Sequence, residues 1–242
     1  MPDAIFDDPR LARVYDPLDP DRSDLDVYVG IALDLGARAV LDVGCGTGTF
    51  ACMLAAHGIH VTAVDPAGAS LDVARAKPGA TGVAWLLGDA TTLPPLAVDA
   101  AFMTANVAQV FLSDDDWHAT LRGVRSSLRP GGMLVFETRD PSRRAWEQWT
   151  PTRTFTAVEI PDVGLVESWE ELTAVDGELV TFRSMTAFRR EDEVLVSTST
   201  LRFRERSDIE RSLEREGYEL VDVRDAPDRP GREMVFLARR PG

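Results

Sequence analysis

Three glycines alternate with other residues directly after a short apolar run. The run is Val40 to Val43, and Gly44, Gly46 and Gly48 follow at every second position. Glycine at this density adds no packing and costs backbone entropy in a helix or a strand. The pattern indicates a chain that leaves a buried strand, turns sharply and lets a ligand lie against its backbone.

A helix is expected to begin directly behind this glycine loop, at Phe50 to Ala56. Its first amide groups point back at the loop, because the first turn of a helix leaves its N–H groups without intrahelical partners. Such an end favours anionic or hydrogen-bond-accepting groups of a ligand. The loop is therefore predicted to bind part of a small molecule.

Further polar residues stand where other strands are predicted to end. They are Asp65, Asp89, Asn106 and the pair Arg139-Asp140. Ligands of parallel α/β sheets bind in the crevice at the carboxyl ends of the strands. We therefore expect these side chains on one rim with the glycine loop.

The elements that must position these residues alternate between strand and helix. We predict strands at residues 40–43, 59–64, 83–87, 97–104 and 133–137, with helices between them. This alternation implies right-handed crossovers and a parallel sheet covered on both faces. Residues 1–22 are rich in Asp and Pro, and we predict a loop there with one short turn of helix.

The pattern changes after about residue 150. Residues 154–160, 165–175, 179–188 and 194–203 are rich in β-branched and aromatic residues, and Asp176-Gly177 is a hairpin signal between two of them. We predict an antiparallel meander of three or four strands. A helix from Ser207 to Glu216 follows, with Ser207 and Glu210 as a capping box. Residues 218–223 and 234–239 are predicted to pair antiparallel at the edge of the main sheet.

Composition limits the class of protein. The 242 residues carry a formal charge of −14, which argues against nonspecific nucleic-acid or anionic-membrane binding. No stretch reaches the length of a membrane span, and the first ten residues lack the features of a signal peptide. Cys45 and Cys52 suggest no disulfide framework. We expect a cytoplasmic protein without a metal site.

Four motifs in order resemble the class I S-adenosylmethionine-dependent methyltransferases. They are the Asp42-x-Gly-x-Gly-x-Gly48 loop, Asp65, Gly88-Asp89-Ala90, and Leu128-Arg-Pro-Gly-Gly132. The resemblance covers roughly residues 10–140 and the closing helix and strands. It implies an α/β, Rossmann-like doubly wound sheet of seven strands with the last strand antiparallel. Residues 1–150 and 206–242 would form the cofactor-binding domain, and 151–205 an inserted antiparallel subdomain that serves as a lid or a dimer contact.

The resemblance also implies S-adenosylmethionine as the methyl donor and S-adenosylhomocysteine as the product. Asp42 would help to bind the amino end of the cofactor, Asp65 the ribose hydroxyls, and Asp89 with Ala90 the adenine. Each acid also has a plainer interpretation, as a brace for the loop, a helix cap or a turn residue. The predicted cofactor-binding residues are Asp42, Gly44, Cys45, Gly46, Gly48, Asp65, Pro66, Asp89, Ala90 and Asn106.

The rival cofactor is a nicotinamide dinucleotide. Its fingerprint is G-x-G-x-x-G, whereas this chain has G-x-G-x-G followed by Thr49 and Phe50. An acid at the end of the second strand is common to both folds, so Asp65 does not discriminate between them. Asp42 before the glycines and Asp89 after the third strand favour the methyltransferase.

Methyl transfer needs little acid–base chemistry from the protein, because the sulfonium is already an activated leaving group. No catalytic base is evident from the sequence, and the three histidines have the positions of ordinary surface or core residues. The candidates for the acceptor pocket are Tyr15, Asn106, Arg139, Asp140 and Trp146. Trp146 with Trp149 would form an aromatic wall or pack between the meander and the main sheet. Arg202 and Arg204 would bind an acidic substrate or, more simply, pair with nearby carboxylates.

The favoured function is therefore direct, in-line methyl transfer to an O or N atom of a small molecule. The partners expected are that acceptor and a second copy of the chain bound through the insertion, with neither nucleic acid nor membrane. An RNA methyltransferase would need an electropositive face, which the acidic chain does not offer. A cofactor-binding scaffold or sensor without turnover stays open, because intact cofactor motifs report binding and not chemistry.

Overall fold

The computed structural model describes residues 2–227 and 229–242. Its strands form one sheet of seven strands and one of four. The strands are β1 Ala39–Val43, β2 His60–Asp65, β3 Val83–Leu87, β4 Val98–Met103, β5 Leu128–Arg139, β6 Thr156–Ile160, β7 Gly164–Asp176, β8 Leu179–Phe188, β9 Glu193–Arg202, β10 Glu219–Asp225 and β11 Glu233–Arg239. The α-helices are α1 Ala4–Asp7, α2 Pro9–Leu18, α3 Asp26–Asp34, α4 Thr49–Ala56, α5 Gly68–Ala76, α6 Asp114–Ser127, α7 Pro151–Thr154 and α8 Arg206–Arg215.

The seven-stranded main sheet has the order β10-β11-β5-β4-β1-β2-β3. Strands β1 to β5 are parallel to one another, while β11 is antiparallel to both β5 and β10. The strand order reverses at β1, because β2 and β3 lie on one side of it and β4 and β5 on the other. The crossovers before and after this point pass over opposite faces of the sheet. This is the predicted Rossmann-like, doubly wound sheet with a reversed last strand, and the expectation is confirmed.

The main sheet is buried on both faces. Val40, Ala63 and Phe102 belong to one apolar cluster with α3 and α4, whereas Leu41 and Leu134 belong to another with α6 and α8. Such strands are apolar throughout because both faces of the sheet exclude water. Within the described residues, none of the helices has the length and apolar character needed to cross a bilayer.

Local signals place several helix ends where the sequence predicts them. The side chain of Ser113 accepts the amide of Asp116, and three aspartates occupy the first turn of α6. That arrangement satisfies an orphan amide and complements the helix dipole.

Strands β6 to β9 form the four-stranded sheet, called the insertion sheet below. Its order is β6-β7-β8-β9 and all neighbours are antiparallel, as the meander prediction requires. The β7–β8 connection is at Asp176-Gly177, where Gly177 has a φ of +57°. Left-handed backbone of this kind is what a tight hairpin turn needs.

The prediction of loop for residues 1–22 is wrong. Helix α2 spans ten residues, with Pro9 in its first turn and the side chain of Asp8 accepting the amides of Arg10 and Leu11. Proline suits the first turn because its missing N–H would be unpaired there anyway. Leu11 and Val14 are buried against the insertion sheet. Tertiary packing therefore stabilises a helix that the density of Asp and Pro obscures.

Two smaller expectations also need correction. Helix α8 begins at Arg206 with Glu205 as N-cap and no side-chain cap, so Ser207 and Glu210 do not form a capping box. Strand β5 begins at Leu128 and not at Met133, because Leu128 pairs with Val98 before the register shifts.

Candidate active site

The glycine loop is fastened to the end of β2 by its own backbone. The amides of Gly44 and Cys45 both donate to the carbonyl of Val64, at 2.8 and 3.2 Å. The amide of Gly48 donates to the carbonyl of Cys45 at 2.8 Å and closes the turn before α4. Burial raises the pKa of the Cys45 thiol, so this residue stays a neutral part of the loop.

Gly46 and Gly48 serve different purposes. A Cβ on Gly48 would lie 2.4 Å from the ring of Trp85, so the missing side chain lets α4 approach β3 closely. A Cβ on Gly46 would meet no atom of the chain within 4 Å. Both residues have a left-handed backbone, with φ of +78° and +52°. Gly48 is therefore a packing glycine, while Gly46 leaves the open side of the loop unobstructed.

Asp42 is a buried acid in β1, directly before the glycine loop. It is 1% exposed in the middle of the main sheet, and among the described residues neither of its oxygens has a hydrogen-bond partner. Burial, with a smaller contribution from the charge of Asp65, raises its pKa from 3.8 to about 8. An unpaired buried carboxylate is costly. Its position beneath the glycine loop suits the binding of a cationic group.

Asp65 lies at the end of β2 and binds backbone on two sides. Its Oδ2 accepts the amide of Gly46 at 2.7 Å, and its Oδ1 accepts the amide of Ala67 at 2.8 Å. Burial raises the pKa of this carboxyl although both hydrogen bonds oppose the shift. Pro66 follows it and is exposed. The carboxylate thus braces the loop and the turn into α5, and each oxygen keeps a second lone pair for a ligand.

The end of β3 lies next to Asp65. The amide of Gly88 donates to the carbonyl of Asp65 at 3.0 Å. The exposed Asp89 accepts the amide and the hydroxyl of Thr91 on its Oδ1, whereas Ala90 is 2% exposed. Asp89 is therefore at the expected rim and also organises its own turn.

Asn106 follows β4 in a left-handed conformation, with φ of +61°. Its amide donates to Glu137 at 3.2 Å and its side-chain Nδ2 donates to Glu233 at 3.3 Å. Glu137 is 5% exposed, its pKa is raised to about 7 mainly by burial, and it also accepts the hydroxyl of Tyr28. The sequence argument missed both acids. The sequence does contain a signal for them, because each is an acidic residue in a strand that is otherwise mainly apolar.

Arg139 ends β5 within the same group. Its Nη1 donates to Gln109 at 3.0 Å, its Nε lies 3.8 Å from Glu233, and its guanidinium stands over the ring of Trp149. Burial lowers the pKa of Arg139, although the neighbouring acids oppose that shift. Asp140 instead turns away to cap a short 3-10 turn by accepting the amide of Ser142.

Helix α2 joins the glycine loop to the rest of the site. Asp16 accepts the hydroxyl of Thr47, a residue of the loop, at 2.6 Å and pairs with Lys77 at 2.6 Å. The neighbouring Tyr15 is half-buried beside Phe6, and burial raises the pKa of its phenol. Tyr15 therefore lies on the element that the loop holds in place.

Trp146 is 8% exposed and packs edge-on against Phe203 at 4.6 Å, in a cluster with Val180. Trp146 therefore packs against the insertion sheet, whereas the sequence offered a position between that sheet and the main sheet or in an aromatic wall. Trp149, which is only half-buried, contacts Phe182 and Arg139. Of the two tryptophans, Trp149 is thus the one beside the polar residues of the site.

The two arginines at the end of β9 hold the segment that follows β4. Arg202 pairs with Asp114 and Glu178, each at 2.8 Å. Arg204 is 3% exposed and donates to the carbonyls of Ala108, Phe111 and Ser113. Burial lowers its pKa to about 10. Both side chains are engaged in structural contacts, so they are not free for an acidic substrate.

Comparison with known proteins identifies the part of the chain that carries the glycine loop. Residues 40–132 match the family model described as a methyltransferase domain. Residues 40–132 are therefore a methyltransferase domain, similar to those of the class I S-adenosylmethionine-dependent methyltransferases. The matched range begins at β1 and ends in the Pro-Gly-Gly sequence of β5, so it contains the loop, Asp65, Asp89 and Asn106.

Two curated methyltransferases are similar to this part of the chain. The cypemycin N-terminal methyltransferase of a Streptomyces species is 35% identical over 109 residues, which are 45% of this chain and 44% of that protein. The malonyl-[acyl-carrier protein] O-methyltransferase of Serratia marcescens is 37% identical over 112 residues, 46% of this chain and 42% of that protein. The chain thus matches less than half the length of either relative, and the two relatives are named for different acceptors.

A solved structure extends the likeness to the whole fold. An S-adenosylmethionine-dependent methyltransferase from Clostridium acetobutylicum superposes with a TM-score of 0.77 at 18% identity, covering 96% of this chain and 98% of that one. The insertion sheet is therefore part of a methyltransferase fold that occurs elsewhere.

The residues present fit S-adenosylmethionine. The methionine end of this cofactor carries an ammonium group, and Asp42 offers a buried carboxylate whose oxygens have no partner in the described chain. Gly46 leaves the adjoining side of the loop clear, since a Cβ there would meet nothing within 4 Å. Charge and space both favour a ligand with a cationic end at this position.

Proposed function

We propose that the protein transfers the methyl group of S-adenosylmethionine to a small molecule by direct, in-line displacement. The observation that carries this proposal is the unpartnered, buried carboxylate of Asp42 beneath the glycine loop. A chain that used the loop only for folding would gain nothing from an uncompensated acid there. A ligand ammonium would convert that cost into a charge-assisted hydrogen bond.

The proposed roles follow the order of the strands. Asp42 and the loop residues Gly44, Cys45, Gly46 and Gly48 bind the methionine part of the cofactor. Asp65, with Pro66 beside it, uses its remaining lone pairs for the ribose hydroxyls while it braces Gly46. Asp89 and Ala90 bind the adenine, and Asn106 closes the site from the end of β4.

S-adenosylmethionine supplies an activated methyl group on a positively charged sulfur. The protein's task is to hold the acceptor atom in line with that group, and such positioning can supply on the order of 7 to 11 kcal/mol. We propose that Tyr15, Asn106 and Arg139 contribute to the acceptor pocket. Asp140 and Trp146 serve it indirectly, because one caps a turn and the other packs beneath the insertion sheet.

A small acceptor suits the surface better than RNA does. The formal charge of −14 repels a polyanion, and Arg202 and Arg204 are both consumed by internal contacts.

The test has two stages. S-adenosylhomocysteine should raise the stability of the protein by roughly 2.7 kcal/mol at a hundredfold excess over its dissociation constant. Stabilisation by NAD and not by this ligand would refute the cofactor. Labelled methyl from S-adenosylmethionine should then pass to a component of a small-metabolite extract. Label in RNA would identify an RNA methyltransferase, and tight binding without any transfer would identify a scaffold or sensor.

We further propose that residues 151–205 act as one subdomain and that a second copy of the chain binds its outer face. On that face Val194 and Val196 are 48% and 52% exposed, beside Trp169 and Met185. We also propose that the protein acts in the cytoplasm, where its two cysteines would stay free thiols. Light scattering behind a sizing column checks the proposed dimer. A dimer that Val196→Glu dissociates supports the interface, whereas a monomer at micromolar concentration refutes it.

A further inference from the structure

One face of the insertion sheet, called the inner face below, is packed against α2 and the segment that follows β5. At one end of this face Val166 and Phe188 pack against Leu11 of α2. At the other end Val180 packs against Trp146. The strand residues between these two apolar ends that share their face therefore lie on the side of α2 and Trp146.

The middle of the inner face is polar. Side chains alternate along a strand, so Glu170 is on the same face as Val166, four residues before it. Glu170 is paired across the sheet with Ser184, which in turn is paired with Ser197. Apolar residues at both ends and a carboxylate in the middle are unusual for a face that serves only as core. Ser197 already accepts the amide of Ile5 at 2.9 Å, so the part of this middle band that suits a polar ligand is the half-buried Glu170.

Glu170 lies close to the proposed acceptor pocket. Its charge acts on the phenol of Tyr15 in α2 and on the guanidinium of Arg139 at the end of β5. The next residue on its face, Leu172, donates its amide to the carbonyl of Trp149 at 3.0 Å. Glu170 is thus placed between the helix held by the glycine loop and the carboxyl end of β5.

Within residues 2–227 and 229–242 Glu170 forms no ion pair, and the Arg139 guanidinium, whose charge acts on it, is held by Glu233 and Gln109. Glu170 is half-buried, and burial raises its pKa against the opposing effect of Arg139. A half-buried acid without a partner favours a cationic ligand group.

We propose that Glu170 binds the amino group of the methyl acceptor and takes its proton, so that the acceptor is an amine. The inference rests on the proposed methyltransferase function and specifies its substrate class. The bound ammonium first gives a proton to a carboxylate oxygen of Glu170, and its N–H electron pair becomes the nitrogen lone pair. That lone pair then forms the bond to the methyl carbon as the carbon–sulfur bond breaks, and the electron pair of the broken bond stays on sulfur. The product is the methylated ammonium and S-adenosylhomocysteine.

Other acceptor classes fit this position less well. A carboxylate acceptor would be repelled by Glu170. The hydroxyl of an alcohol is far too weak an acid for a carboxylate to deprotonate, whereas an ammonium with a pKa of about 10 is much closer. An amine also arrives as a cation, so its positive charge can pair with the half-buried carboxylate.

The experiment compares amino sugars with the sugars that carry a hydroxyl at the same carbon. Binding to the protein without cofactor is measured by calorimetry, and transfer of labelled methyl is measured with S-adenosylmethionine. We expect the amines to bind and to be labelled at least tenfold better than their hydroxyl counterparts. Glu170→Gln should lower transfer by roughly 100-fold and weaken amine binding, while the affinity for S-adenosylhomocysteine is unchanged.

Glu171→Gln is the matched control, because Glu171 is the exposed neighbour on the opposite face of β7. It should behave as wild type, and thermal unfolding should show both variants folded. Preferential labelling of the hydroxyl compounds, full transfer by Glu170→Gln, or no binding or labelling of any amine would overturn the amine assignment. Failure of the methyltransferase function itself looks different, since S-adenosylhomocysteine would then not bind or no extract component would be labelled.

Discussion

Asp65 holds Gly46 of the glycine loop at 2.7 Å and Ala67 of the next turn at 2.8 Å. One carboxylate therefore joins the loop after β1 to the helix after β2. The two interpretations of Asp65, a ribose ligand and a brace, are compatible, because a carboxylate has more lone pairs than two amides use. Its removal should cost both stability and cofactor affinity.

Asp65→Asn keeps the shape but replaces one carboxylate oxygen by an NH2 group, which cannot accept the amide of Gly46 or of Ala67. We expect the free energy of unfolding to fall by about 1 to 3 kcal/mol, the cost of a buried amide without an acceptor, and S-adenosylhomocysteine affinity to fall at least tenfold. Chemical denaturation and calorimetry measure the two effects. Asp72→Asn on α5 is the control and should change stability by less than about 0.5 kcal/mol. A variant with lost affinity and wild-type stability would show that Asp65 is not a brace.

Asp42→Asn should stabilise the free protein at pH 8 while it abolishes most cofactor binding. The wild-type pKa is raised from 3.8 to about 8, so between these values the folded state holds a proton that the unfolded state has lost. Stability due to this group therefore falls as the pH rises through that window, by about 1.4 kcal/mol per unit. Asparagine does not titrate, so the stability of the variant relative to the wild type should increase from pH 5 to pH 8.

Thermal unfolding of both proteins over that pH range measures the effect of Asp42. Glu137, whose pKa is raised to about 7, titrates in the same window but is common to both proteins, so it cancels in the difference. A difference between the two midpoints that does not change with pH would contradict the assignment.

Cofactor binding should release a proton near pH 7. In the free protein Asp42 is protonated below about pH 8, and an ammonium beside it favours the ionised form. The affinity for S-adenosylhomocysteine should therefore increase from pH 6 to pH 8. Calorimetry in two buffers of different ionisation enthalpy counts the released protons. Equal binding heats in both buffers would exclude the coupling.

Gly46→Ala and Gly48→Ala should separate ligand clearance from packing. Both residues have positive φ, so both variants pay a similar backbone cost of about 1 to 2 kcal/mol. Gly48→Ala also drives a methyl group into Trp85 and should lose a further 1 to 3 kcal/mol. Gly46→Ala should be the more stable of the two variants. For the stability that it loses, it should lose more affinity for S-adenosylhomocysteine than Gly48→Ala does. Denaturant titration and calorimetry together check this, and equal stabilities would contradict the packing role of Gly48.

Asp16→Asn should loosen α2 from the glycine loop. The change weakens the hydrogen bond from Thr47 and removes the charge that pairs with Lys77. A loss of about 1 kcal/mol corresponds to a roughly fivefold faster release of S-adenosylhomocysteine, measured by stopped-flow. Asp19→Asn, exposed at the end of the same helix, is the control and should release the ligand at the wild-type rate.

The sequence alone is sufficient to predict the cofactor-binding half of the fold. Apolar strands, the glycine pattern and Asp65 are local signals, and each element between β1 and β4 is where periodicity and turn residues place it. The same holds for the insertion sheet, because Asp176-Gly177 specifies its central hairpin without help from distant residues.

The acceptor half depends on contacts that sequence does not display. Helix α2 is stabilised by the burial of Leu11 and Val14 against strands about 150 residues away. Glu170 is informative only once the inner face of β7 is known, and that face is defined by α2. The capping residues of α8 and the role of Arg204 likewise depend on neighbours far along the chain.

Arg204 has a consequence for anyone who would exchange the insertion sheet to change the acceptor. Its guanidinium is inserted among three carbonyls of the segment after β4, and no carboxylate contacts it there in the described chain. A graft that ends at residue 202 and omits this arginine leaves those carbonyls unpaired in the host. The natural boundary for a chimera is therefore beyond Arg204, and residues 105–113 have to be transplanted together with the sheet.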